Sequence, residues 1–145
     1  MIAGLLSALH LLALGIGLGA VYARGRALRT PVELDRVFRA DNFWGLAALL
    51  WLATGLLRAF GGFGKGTAYY MSHPLFHLKL TLFAIIVLLE IWPMITLIRW
   101  RLARRRGQAI ELAAAPKLRL LNQIELALVV VIPFIAAMIA RGIGR

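Results

Sequence analysis

Apolar residues fall into four long blocks separated by short charged stretches, a pattern that predicts four membrane-crossing helices. The blocks run from Ala3 to Tyr22, Phe43 to Phe60, Leu75 to Ile98 and Leu120 to Ala140. About 20 residues at about 1.5 Å each cover a hydrocarbon core of about 30 Å. Backbone polar groups must find partners internally in lipid, so uninterrupted runs of this length require helices rather than strands. Asp41 and Asn42 suit an N-cap for the second block, Pro93 is expected to bend or interrupt the third, and Pro133 lies within the fourth. Thr30-Pro31-Val32-Glu33 reads as a capping box that opens a short interfacial helix through Phe38. The expected fold is all-α: an up-and-down four-transmembrane-helix bundle, residues 1–145 forming one domain, with an external loop over Gly61 to Tyr70.

Composition reinforces the pattern. The chain of 145 residues is 61% hydrophobic, against about 45–50% for a soluble domain. The first block lacks a positively charged leader and is longer than a signal core, so it reads as a retained span. The net charge of +11 comes from arginines placed between blocks: Arg24, Arg26, Arg29, Arg36 and Arg39 in the first connection, and Arg99 through Arg119 in the third. The middle connection is poorer in cations, which by the positive-inside rule puts both termini outside. Charge therefore reports topology and anionic-lipid contact, with no nucleic-acid role. Tyr69, Tyr70, Trp44 and Trp100 are expected in the interfacial aromatic belt, and Arg141 and Arg145 as surface anchors. The absence of cysteine excludes disulfides, iron–sulfur clusters, thiolate zinc and covalent c-type haem.

Ionisable side chains inside apolar spans are costly and mark candidate sites. His10, Arg58, His77 and Lys79 are expected in the outer half of the membrane, and Glu90 with Glu125 in the inner half. At about 100° per residue, Lys79, Phe83, Ile86, Glu90 and Pro93 share one stripe, and Asn122, Glu125, Val129 and Pro133 another. Trp44, Ala48, Trp51, Gly55 and Arg58 share a face that would suit a flat, anionic, apolar ligand such as haem, with Arg58 meeting its propionates.

His10 carries two readings: an axial ligand to haem b, or a hydrogen bond between helices. The second ligand would be His77 or Lys79, and these project to opposite sides of their helix. His73 reads as a loop residue at the membrane edge. Gly15 and Gly19 form a Gly-x-x-x-Gly pair, which marks close helix packing. Glu90 and Glu125 either relay a proton or pair with arginine.

His10, Phe76-His77-Leu78-Lys79 and Leu121-Asn122-Gln123-Ile124-Glu125 together resemble a small bacterial membrane family of unknown function grouped with the CopD-like and HemJ-type proteins. The likeness spans nearly the whole chain. It implies a haem-b protein of the bacterial inner membrane, with His10 and either His77 or Lys79 as ligand or essential residues, acting as an oxidoreductase on a tetrapyrrole. This chain reads Asn122-Gln123-Ile124-Glu125 where the HemJ-type pattern has Asn-Glu-x-Pro, and Glu90 where a later third-helix histidine is common. No Met-rich copper motif accompanies the CopD-like resemblance. The reading taken forward is haem-based electron transfer or oxidation of a lipid-soluble substrate, with Lys79, Glu90 and Glu125 as catalytic candidates. Its partners would be the bilayer, a quinone or tetrapyrrole, and a second copy or a respiratory protein. The rival is a cofactor-free accessory or transporter-like bundle.

Overall fold

A computed structural model describes residues 1–63 and 65–144; Arg145 lies outside the described residues. The helices are α1 (Ile2–Ala27), α2 (Leu34–Phe60), α3 (Thr67–Met71), α4 (Pro74–Arg105) and α5 (Ala115–Ala140), the last preceded by a 3-10 turn at Leu112–Ala114. Among the described residues no strand occurs, and four helical segments are long and apolar enough to cross a membrane. Their antiparallel run places both termini and the α2–α4 connection at one end, here the terminal end, and the other two connections at the arginine-rich end.

The helices outrun their apolar blocks at the arginine-rich end. The stretch expected as a separate interfacial helix is the opening of α2, which runs unbroken from Leu34. Asp41 and Asn42 therefore sit inside α2 and cap nothing, and Glu33 occupies the N-cap position without a side-chain cap bond. Pro93 does not interrupt α4, which continues to Arg105. At 32 residues and about 1.5 Å per residue, α4 exceeds the hydrocarbon thickness, so its arginine-bearing end projects beyond it. The expected external loop carries one short helix, α3.

Helix α1 packs on α2, α4 on α5, and α1 on α5, so the two hairpins join through α1 and α5, and α2 with α4 lacks comparably close backbone packing. The middle of the core contains Trp44, Trp51, Ile86, Val129 and Ile132. Val37, Leu97, Trp100 and Leu118 fill the arginine-rich end, and Ala59, Phe76, Ile135 and Ile139 the terminal end. Trp44 and Trp100 are thus core residues, not belt residues, because the neighbouring helices offer enough apolar contact to enclose both rings. Outward, Leu46, Leu49, Leu88 and Phe134 are each about two-thirds exposed, an apolar coat suited to lipid.

Glycine permits close approach at Gly17, where an added Cβ would lie 3.2 Å from the Trp44 ring on α2. The Gly15 and Gly19 pair does not pack within the chain, since a Cβ at either position would meet nothing within 4 Å.

Candidate functional site

The His10 ring is nearly buried where α1 faces α2, and its Nδ1 lies 2.9 Å from the Thr54 hydroxyl. That hydroxyl donates its single proton backward along α2, to the Leu50 carbonyl at 2.7 Å, with the Trp51 carbonyl at 3.2 Å. With that proton given to the helix, Thr54 Oγ1 can accept from a protonated His10 Nδ1, the tautomer that leaves the lone pair on Nε2, and Nε2 has no hydrogen bond among the described residues. Gly55 clears the space beside the ring, since a Cβ there would sit 3.2 Å from His10 Cε1.

This ring lines a cavity of about 500 Å³ at the terminal end, together with Trp51, Arg58, Lys79, Phe76 and Pro133. The size lies within the usual range for small-molecule sites, about 300–1,000 Å³. A smaller apolar pocket of about 60 Å³ shares His10, Trp51 and Lys79 and extends along the α2–α4 seam past Leu52, Leu80 and Phe83. Edge-on aromatic pairs hold that seam, Trp51 with Phe83 at 5.7 Å and Phe60 with Phe76 at 6.2 Å.

Arg58 and Lys79 have no hydrogen bond or ion pair among the described residues, and no carboxylate lines the cavity. The Trp51 indole N–H is buried and also lacks a partner. Two uncompensated cations and an aromatic wall are complementary to an amphipathic anion.

His77 lies elsewhere. It is exposed on α4 and its Nε2 bonds the Met71 carbonyl at 2.8 Å, outside the cavity. His73, expected in a loop, is wholly buried at the N-cap of α4, its ring 5.8 Å from that of Tyr69 and neither ring nitrogen with a hydrogen-bond partner among the described residues. Lys65 reaches the last turn of α5, donating to the Ala140 carbonyl at 2.8 Å, a favourable place for a cation.

Toward the arginine-rich end, Glu90 and Glu125 meet on a residue that topology counting assigns to a connection. Arg24 is 1% exposed and uses all five N–H donors. Nε donates to Asn122 Oδ1 at 2.7 Å. Nη1 donates to Asp41 Oδ1 at 2.9 Å and Glu90 Oε1 at 2.7 Å. Nη2 donates to Glu90 Oε2 at 2.8 Å and Glu125 Oε2 at 2.7 Å. Each of the four long helices thus contributes to one buried hub. Asn122 Nδ2 donates to the Val21 carbonyl at 2.9 Å, and Asp41 Oδ2 accepts from Arg101 at 2.7 Å. Three carboxylates face two guanidiniums, and Glu125 Oε1 is buried without a partner.

The signal for Arg24 is present in the chain: His10, Ala13, Gly17, Ala20 and Arg24 alternate steps of three and four residues, the spacing of one buried helix face. Gly25 sits against this hub, where an added Cβ would fall 2.6 Å from Asn122 Nδ2. Gly25→Ala should therefore displace the Asn122 amide and cost about 1–3 kcal/mol, measured by unfolding in mixed micelles; unchanged stability would contradict the packing.

Four apolar helices, a cationic cavity at one end and a saturated arginine hub at the other define a multi-pass α-helical membrane protein. The chain belongs to the family described as "Predicted membrane protein (DUF2214)", whose model matches residues 2–144. No curated protein and no solved structure matches the chain.

Proposed function

We propose that the cavity binds one b-type haem and that the protein, in a bacterial inner membrane with both termini outside, transfers electrons or oxidises a lipid-soluble substrate, of which a quinone and a tetrapyrrole are the two candidates. The observation that carries the reading is the Nε2 of His10, without a hydrogen bond among the described residues, in a cavity that also holds two unpaired cations. A bound haem would supply one-electron chemistry. Thr54 would hold the imidazole in the tautomer with Nε2 free, the task a supporting hydrogen bond performs for a ligating histidine. Arg58 and Lys79 would take the propionates. Lys79 lines the cavity and His77 does not, so His10 would be the one imidazole ligand. The apolar α2–α4 seam suits access from the bilayer. Glu90 and Glu125 would hold an exchangeable proton, since two guanidiniums leave one of the three carboxylates unbalanced. The HemJ-type likeness is what brings a tetrapyrrole into consideration.

Protein expressed with ample haem should show a Soret band that His10→Ala abolishes and His77→Ala preserves. A colourless preparation, or a band indifferent to His10→Ala, overturns the proposal. One observation favours a second reading, a cofactor-free bundle: the His10–Thr54 bond itself fastens α1 to α2. That reading expects no colour and a fully stable His10→Gln variant.

A further inference from the structure

At the arginine-rich end, a groove of about 870 Å³ runs between α1 and α2, its lining sharing no residue with the cavity or the arginine hub. Arg26, Arg29, Arg36 and Arg39 line it, with Glu33 as the one carboxylate. Arg36 pairs with Glu33 at 3.0 Å; Arg26, Arg29 and Arg39 have no ion pair or hydrogen bond from their side chains among the described residues. Beyond these cations the groove becomes apolar. Gly19, Ala20 and Ala23 form a low floor, while Tyr22 and Phe43, both more than half exposed, stand at its sides. Ile16 lies ten residues along α1 from Arg26, about 15 Å deeper along the helix. Gly19 keeps the floor open, since nothing lies within 4 Å of where its Cβ would be.

We infer that this groove is a binding site for an anionic phospholipid, with the arginines taking the phosphate and the glycine-floored channel an acyl chain. Clustered cations at the end of membrane helices attract phosphate, and the Arg guanidinium binds it in a bidentate fashion. The apolar continuation selects a lipid over free phosphate, because a soluble anion would leave that floor uncovered. A second copy of the chain is a poor occupant: a two-fold contact here would set four arginines against four arginines. The site does not depend on haem binding, and its variants should leave any Soret band unaltered.

The test is native mass spectrometry of the full chain released from vesicles of phosphatidylcholine mixed with phosphatidylglycerol. One phosphatidylglycerol should be retained per chain. The combined Arg26→Gln, Arg29→Gln and Arg39→Gln variant should lose it. Gly19→Leu, which keeps every charge and fills open space, should lower retention about tenfold or more by excluding two or more buried methylenes. Removing the same charge elsewhere, with Arg99→Gln, Arg105→Gln and Arg106→Gln, should leave retention unchanged. Equal loss in that control assigns the effect to diffuse surface charge and overturns the site. So does full retention in Gly19→Leu, or displacement of the lipid by inorganic phosphate alone.

Discussion

Arg24→Gln should destabilise the protein by about 3–5 kcal/mol, the usual cost of removing one partner from a buried ion pair. The substitution leaves Glu90, Glu125 and Asp41 facing one another without the cation that three helices direct them toward. Glutamine can restore at most two of five donations. The comparison that isolates this cause is Glu125→Gln. Glu125 accepts one bond from Arg24 and its other oxygen has no partner among the described residues, so in a neutral isostere the amide oxygen keeps the contact, the amide N–H group takes the unpartnered position, and the cost should be about 1–3 kcal/mol. Unfolding of both variants in detergent with increasing dodecyl sulfate measures the difference. Equal losses would mean that the hub is governed by volume rather than by charge.

On the proposed haem reading, Arg58→Gln combined with Lys79→Gln should weaken haem retention about 10²–10⁴-fold, at roughly 1.5–3 kcal/mol for each charge-assisted contact. Stability of the ligand-free protein should stay the same or rise, because neither cation has a protein partner to lose and both are held beside apolar walls. Loss of binding without loss of stability is the result expected of cations that serve a ligand. Parallel losses of binding and of folding would recast Arg58 and Lys79 as structural groups.

Much of this architecture can be read from the chain itself. Four apolar runs of sufficient length leave the backbone no alternative to helices, and the stripes through Lys79 and Glu90 and through Asn122 and Glu125 face the interior as helical spacing requires. Trp51 and Arg58 share a cavity with His10 and Lys79 because a spacing of seven residues puts both on one face of α2. Arg24 escapes this reading for a physical reason. An arginine near a helix end ordinarily reaches the headgroups, and its burial here depends on acids supplied by three other helices, two of them far away in sequence. Trp44 and Trp100 mislead for a related reason: indoles near span ends favour the interface unless neighbouring helices enclose them, and here they do. His73 is hidden by the packing of Tyr69 against it, a contact that local composition does not encode.

The arginine hub also imposes an order on biogenesis. As helices leave the ribosome in sequence, Arg24 enters the membrane with only Asp41 following closely, from the adjacent helix. Glu90 arrives one hairpin later, and Asn122 and Glu125 only with the final span. A chain that stops short of α5 therefore carries a guanidinium missing two of its acceptors, a ready mark by which membrane quality control could distinguish unfinished molecules from finished ones.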